Sequence, residues 1–177
     1  MLAVGGDHAS NDLAYGLKVP LSRAEQLKID HGSSFLEDAA KGQTITISNE
    51  LGLPLKTVNL EHLRRIMSLR LEEMFQLIGQ DLEQAGALDY LRAGVFLCGG
   101  GAHIPQIAQL AEQVLQMPVS IGKTNSISGL KSALDQPEFA TAIGLVKFGS
   151  FQQRKRAAKS SLTDGIKSTL GQFFRRG

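Results

Sequence analysis

The stretch "VFLCGGGAHIP", from Val95 to Pro105, decides the fold. An apolar run typical of a β-strand leads directly into three glycines and then into a helical pattern. At such a junction the backbone amides can approach a ligand, and the helix N-terminus adds partial positive charge, as in many nucleotide sites. The triplet lacks the lysine of a phosphate-binding loop and the spacing of the dinucleotide fingerprint, so by itself it also fits a tight turn.

Strand and helix patterns alternate around this stretch, which predicts an α/β fold with crossover helices. The predicted strands are Thr44–Ser48, Lys56–Val58, Gly94–Cys98 and Pro118–Ile121. The predicted helices are Asn11–Leu17, Arg23–Asp30 with a capping box formed by Ser22 and Glu25, Leu60 to about Ala85, Pro105–Leu115 and Pro137–Phe148.

The longest of these helices carries apolar residues at spacings of three and four, which predicts one face turned to the core. Three arginines, Arg64, Arg65 and Arg70, lie off that stripe and are expected in solvent. A partner surface is the alternative interpretation for them.

Composition excludes several classes of protein. The chain has 177 residues, 42% hydrophobic and 20% charged, as in an ordinary globular domain. The single cysteine, Cys98, excludes a disulfide framework and favours a reducing compartment. No apolar run reaches the ~20 residues of a transmembrane helix, and no secretory signal is expected. Histidine spacing predicts no metal site, and we expect no catalytic residue.

Charge is distributed unevenly along the chain. Residues 154–177 contain seven basic residues and one acid, whereas residues 1–153 contain 12 basic and 16 acidic residues. A basic end on a weakly acidic body is typical of proteins that meet an anionic surface.

The C-terminal end also carries an apolar stripe with basic flanks, a pattern typical of a helix lying in a membrane interface. The stripe and its flanking charges are Leu162, Ile166, Lys167, Leu170, Phe173, Phe174, Arg175 and Arg176. A helix docked on the domain's own surface is the alternative, although the polar stretch before it resembles a flexible linker.

An ordered series of fragments resembles the C-terminal half of the bacterial FtsA family of actin-like cell-division proteins. The fragments are "VGGDHASNDLAYGL", "AEQLK", "GVFLCGGGAHIPQIAQLAEQVL", "VSIG" and "EFATAIGLVKFG". The resemblance implies the second large lobe of an actin-like, ribonuclease H-like fold, with an inserted small α+β lobe. It divides the chain into a core lobe (1–19 and 94–149), the inserted lobe (20–93), a flexible basic linker (150–161) and an amphipathic membrane-targeting helix (162–177).

The resemblance also implies a nucleotide site, with ATP and Mg²⁺ as the family's cofactors. Its residues here would border the adenosine part: Gly5, Gly6, Glu25, Lys28, Gly99, Gly100, Gly101 and Ala102. The family's phosphate-binding hairpins would lie upstream of Met1. We therefore expect weak or absent ATP binding, and no hydrolysis, by this chain alone.

As a relative of FtsA the chain would tether FtsZ filaments to the inner face of the cytoplasmic membrane, at the division site, and recruit later division proteins. Arg70 would face the FtsZ C-terminal tail, anionic lipids would hold the last helix, and self-association would build actin-like filaments. The alternatives are another actin-like ATPase, of the pilus-assembly or cell-shape type, and a basic-tailed nucleic-acid binder. Apolar residues on one face of the tail argue against nucleic acid.

Overall fold

The computed structural model describes residues 3–36, 38–48, 54–122 and 136–155. In chain order its elements are α1 (Gly6–Leu17), α2 (Leu21–His31), β1 (Thr44–Ser48), β2 (Pro54–Asn59), α3 (Leu60–Gln84), β3 (Val95–Leu97), α4 (Ile107–Leu115), β4 (Val119–Ile121) and α5 (residues 140–155). Short 3₁₀ turns stand at Asp38–Ala40, Leu88–Tyr90, Gly100–His103 and Pro137–Phe139. The alternation confirms a mixed α/β fold.

Helix α3 is the centre of the core, and its predicted stripe is confirmed. Leu63, Met67, Leu71 and Phe75 recur every fourth residue and are buried. The helix begins behind Asn59, whose side-chain oxygen accepts a hydrogen bond from the backbone N–H of His62 at 3.0 Å. Removing these side chains from water is the main contribution of α3 to stability.

Helix α1 packs against both α2 and α3. It begins at Gly6, five residues before the predicted start, because the small residues Ala9 and Ser10 continue the buried face of Leu13 and Leu17. Gly16 lets α1 approach α3 closely: a Cβ there would lie 2.7 Å from Ile66 Cδ1.

The predicted capping box at the start of α2 is wrong. The backbone N–H groups of Arg23 and Ala24 donate to the carbonyl of Pro20, so the helix begins at Leu21 and the Ser22 side chain forms no cap. Proline fixes φ near the helical value, so Pro20 is itself suited to lead into the first turn. The helix ends at His31, one residue beyond the predicted end at Asp30, and Gly32 is its C-cap.

The strands form two pairs among the described residues. β1 and β2 are antiparallel, with Ile45 opposite Val58 and a register shift after Ile47. β3 and β4 are parallel, with Val95 opposite Val119, and α4 is the crossover between them. The four predicted strands are thus present, and the expected crossover helix connects β3 to β4.

The last described helix, α5, projects apolar side chains into solvent. Leu145, Val146, Phe148 and Phe151 are each more than half exposed, whereas Ile143 is buried. The helix continues to residue 155, beyond the predicted end at Phe148 and into the range expected to be a linker. In the described part of the chain no helix combines the length and the apolarity needed to cross a bilayer.

Candidate functional site

A cavity of about 540 Å³ lies where α1, α2 and the glycine turn after β3 meet. Five of the eight residues predicted to bind a nucleotide line it: Gly6, Glu25, Lys28, Gly100 and Gly101. Cavities that bind small ligands have volumes of ~300–1,000 Å³, so this one is large enough for a nucleoside. The fold therefore brings Gly6, Glu25 and Lys28, from the first 28 residues, next to the glycine turn after β3.

The surroundings of the glycine turn show which of its three glycines the backbone conformation requires. A Cβ added at Gly99, Gly100 or Gly101 would meet no atom of the described residues within 4 Å. Only Gly99, with φ of +96°, needs glycine for its backbone conformation. Crowding within the chain therefore does not explain Gly100 and Gly101, whereas a ligand resting against their backbone would.

One wall of the cavity is held by a cluster around Lys28. Its Nζ donates to Glu25 Oε2 at 2.7 Å, to Ser10 Oγ at 2.9 Å and to the Gly6 carbonyl at 3.2 Å. An ammonium has three N–H donors, so these partners use all of them. Lys28 accordingly fastens α2 to α1 and stabilises the wall from within.

Glu25 completes this cluster and faces the cavity. It also accepts a hydrogen bond from the Ser10 hydroxyl, and its side chain is 43% exposed. The hydrogen bond from Lys28, followed by that from Ser10, lowers the pKa of Glu25 below its ordinary value. The group is therefore a carboxylate at neutral pH, with the cavity on its open side.

The charge of the described wall fits a nucleoside better than a phosphate. Asp7 and Glu25 place two carboxylates at the cavity, and the ammonium of Lys28 is already paired. Carboxylates repel phosphate and accept hydrogen bonds from hydroxyl or amino groups. Ile29, which is 65% exposed, offers apolar surface next to them.

Three of the predicted nucleotide residues do not line the cavity. Gly5 precedes α1, and its N–H lies 3.2 Å from His8 Nδ1. Gly99 bends the chain between β3 and the turn, and its N–H donates to the Pro137 carbonyl at 2.8 Å. Ala102 closes the turn by donating to the Gly99 carbonyl. These residues shape the segments that carry the site.

Sequence reasoning missed five lining residues: Asp7, Ile29, His103, Ile104 and Pro105. Ile29 could have been found, because it lies four residues after Glu25 and so shares its helical face. His103 lies two residues after the glycine triplet, and its Nε2 lies 2.5 Å from Glu138 Oε2. That contact joins the glycine turn to the 3₁₀ turn before α5 and lowers the pKa of Glu138.

Arg70, the predicted partner-binding residue, is bound within the chain. Its Nε and Nη2 donate to the two carboxylate oxygens of Asp12 on α1, the second at 3.0 Å, and Nη1 donates to Glu73 at 2.7 Å. The expectation that it is simply solvated is wrong, since only 27% of its side chain is exposed. A helix stripe in sequence does not reveal which neighbouring helix supplies a carboxylate.

The predicted membrane residues, from Leu162 to Arg176, lie outside the described residues, as does most of the predicted linker. Within the described ranges no cluster of histidine, cysteine or acidic side chains could hold a metal ion. The described part of the chain therefore offers a cavity with converging polar groups at the glycine turn and an arginine-centred ion-pair network around Arg70.

Most of the chain matches a known protein family. Residues 1–144 match the family model described as cell division protein FtsA. The chain is 29% identical over 153 residues to cell division protein FtsA of Pseudomonas aeruginosa, covering 86% of this chain and 37% of the relative. It is 31% identical over 182 residues to that of Borreliella burgdorferi, covering 98% of this chain and 44% of the relative. The chain thus spans less than half the length of these relatives.

Solved structures show the same fold. MreB 5 of Spiroplasma citri, in a crystal structure bound to AMPPNP, superposes with a TM-score of 0.61 at 17% identity, over 88% of this chain and 47% of that one. A second crystal structure, of MreB5 bound to ADP, gives a TM-score of 0.53 at 24% identity. The mixed α/β fold therefore resembles part of an actin-like fold.

Proposed function

Because this chain belongs to the FtsA family of cell-division proteins, we propose that it contributes to tethering FtsZ filaments to the inner face of the cytoplasmic membrane. In this proposal the chain binds the FtsZ tail through the surface around Arg70, contacts lipid through residues 162–177, and takes part in filaments and in recruiting later division proteins. The family match over residues 1–144 carries the proposal. The basic C-terminal segment supports its membrane part.

The finer architecture belongs to the same proposal. Residues 1–19 and 94–149 form the second large lobe of the actin-like fold, and residues 20–93 form a small lobe inserted into it. The parallel pair β3–β4 with its crossover α4 suits the large lobe, and the β1–β2 hairpin with α3 suits the small one. The cavity then lies where segments of both lobes meet.

The cavity is proposed to take the adenosine part of a nucleotide. Gly100 and Gly101 leave room for a close approach, and the Glu25 carboxylate is placed to accept a hydrogen bond from a hydroxyl or amino group. In the family, ATP with Mg²⁺ would add the charge of its phosphates next to this wall. The described wall offers that charge no unpaired lysine, so this chain alone binds ATP weakly or not at all.

Isothermal titration calorimetry with adenosine and with ATP tests this assignment. We expect dissociation constants no tighter than the millimolar range for both ligands, and no preference for ATP. Micromolar affinity for ATP would contradict the assignment. Gly100→Val should abolish whatever adenosine signal is seen, because its side chain fills the open space of the turn. Gly149→Val, on the exposed α5 and without a positive φ, serves as control.

Binding of the FtsZ tail tests the partner assignment. Arg70→Gln removes the charge without placing a third carboxylate beside Asp12 and Glu73, which Arg70→Glu would do. Weaker binding of an FtsZ C-terminal peptide is expected for both variants, and Arg65→Gln, on an exposed part of the same helix, is the matched control. Unchanged affinity in a folded Arg70→Gln protein would refute the assignment.

The membrane assignment is tested by liposome flotation. Five apolar side chains on one face each contribute ~1–2 kcal/mol when partly buried, and each nearby lysine or arginine adds ~1 kcal/mol on an anionic leaflet. Ordering the helix offsets much of this, so binding is reversible. Phe173→Glu should release the chain, whereas Ser168→Glu, off the stripe, should not. Equal flotation of both variants, or none of the wild type, would exclude the membrane role.

A second candidate is a cell-shape role of the MreB type, which the two structural neighbours favour. It shares the fold but does not require the FtsZ tail. Peptide binding therefore separates the two candidates, and a parallel assay with a fluorescent oligonucleotide tests the remaining nucleic-acid alternative.

A further inference from the structure

Helix α1 is tied to its two neighbours by residues only two positions apart. Ser10, which is 2% exposed, contacts Glu25 and Lys28 of α2, in the wall of the cavity. Asp12 contacts Arg70 of α3, on the surface proposed for the acidic partner. One rigid helix therefore carries both contacts, and the two sites share a structural element.

The contact between Asp12 and Arg70 has the geometry of a bound carboxylate. Both oxygens of Asp12 accept from two nitrogens of the guanidinium fork, which is the bidentate arrangement by which arginine recognises acidic ligands. Glu73 occupies a third nitrogen from the same helix, one turn further along. The fork that an acidic partner would need is thus already filled from within the chain.

We propose that Asp12 is an internal competitor for the acidic partner of Arg70, and that partner binding removes this ion pair between α1 and α3 and so loosens the Ser10–Glu25–Lys28 cluster. This inference rests on the proposed function, because it takes the partner to be an acidic peptide bound at Arg70. A partner carboxylate that takes the fork displaces Asp12, since one guanidinium edge holds one carboxylate. Glu73 lies on α3 together with Arg70, so its ion pair with Arg70 is kept. The contact that is lost is the one between Asp12 of α1 and Arg70 of α3.

Coupling of this kind acts in both directions. If the acidic peptide weakens the hold of α1 on the cavity wall, a ligand that stabilises that wall must weaken peptide binding by the same factor. The cavity and the partner surface then report on each other without any direct contact between the two ligands. The two-state element is α1, either tied to Arg70 or released from it.

The test compares Asp12→Asn with Asp30→Asn, which removes the same charge from the exposed face of α2. An FtsZ C-terminal peptide, labelled for fluorescence anisotropy, should bind Asp12→Asn about two- to five-fold more tightly than the wild type, the range set by a partly exposed ion pair. The control should change little. Weaker binding to Asp12→Asn would overturn the proposal, because Asp12 would then position Arg70 for the partner.

A second measurement uses the wild-type chain, so it does not depend on how a variant folds. Hydrogen exchange is followed on the amides of α1 with and without saturating peptide. Faster exchange in α1 on binding supports the release, whereas unchanged or slower exchange with peptide bound overturns it. If neither wild type nor Asp12→Asn binds peptide, the partner assignment at Arg70 fails together with the competition. Peptide binding without any change in α1 removes only the coupling.

Discussion

Helices α3 and α5 have similar apolar patterns and opposite surroundings. In α3 the side chains of Leu63 and Met67 are 0% exposed, whereas in α5 those of Leu145 and Val146 are 67% and 70% exposed. The difference teaches that periodicity identifies a helix and its apolar face but not what covers that face. Contacts within the chain explain the residues of α1, α2 and α3, which we call the helical core. They do not explain the exposed residues of the glycine turn and α5, which we call the open side.

The largest expected effect tests this contrast directly. Leu63→Ala should reduce the free energy of unfolding by about 2–5 kcal/mol, because it leaves a cavity in the helical core. Leu145→Ala on the open side should change it by no more than about 0.5 kcal/mol. Urea unfolding followed by circular dichroism measures both. Similar losses in the two variants would mean that α5 is covered in solution.

Glycines give the next contrast. In Gly32→Ala the new Cβ would meet the Lys28 carbonyl oxygen and lie 2.6 Å from Met67 Sδ, so the backbone must move, at a cost of about 1–3 kcal/mol. Gly100→Ala meets nothing within 4 Å and should stay within about 0.5 kcal/mol of the wild type. Thermal unfolding of both proteins checks the prediction. A large loss in Gly100→Ala would show that the fold, and not a ligand, requires that glycine.

The starts of α3, in the helical core, and of α4, which follows the glycine turn, differ in their backbone conformation. Asn59→Ala removes the cap of α3 and should cost about 1 kcal/mol. Gln106 precedes α4 with φ of +62°, a left-handed conformation that costs a non-glycine residue about 1 kcal/mol. Gln106→Gly should therefore stabilise the protein by up to that amount, with some loss from its 3.4 Å contact to Ser33. Destabilisation of Gln106→Gly would mean that the side-chain contact outweighs the strain.

The smallest effect is expected from pH. Because Lys28 and Ser10 lower the pKa of Glu25, the unfolded chain binds more protons than the folded one in acid. The stabilisation is therefore present above the ordinary value of 4.5 and is lost as pH falls through the lower folded pKa. Glu25→Gln should flatten the fall in urea midpoint between pH 6 and pH 3. Glu138→Gln on the exposed open side should flatten it less, and the reverse order would show that the turn contact is the stronger one.

Sequence reasoning was most successful where local pattern and tertiary packing agree. The α3 stripe, the Thr44–Ser48 strand and the strand–glycine–helix junction were all predictable, because each depends on spacing within a few residues. It failed at Ser22, because the first amides of α2 donate to the carbonyl of Pro20 and not to the Ser22 side chain. It also failed at the start of α1, where the buried face is formed by small residues. The family resemblance named eight residues predicted to border a nucleotide, and five of them line one cavity. The pairing of Arg70 with Asp12 could not be predicted, since no local pattern joins residues 58 positions apart.

The two ties of α1 also differ in how far along the chain they reach. Ser10 contacts partners 15 and 18 residues away, whereas Asp12 contacts a partner 58 residues away. Closing a longer loop costs more chain entropy, so we expect the α1–α2 contacts to form before the Asp12–Arg70 contact. A contact made after the transition state affects unfolding more than folding. We therefore expect the Asp12–Arg70 pair to affect the unfolding rate more than the folding rate, and the Ser10 contacts to affect the folding rate more.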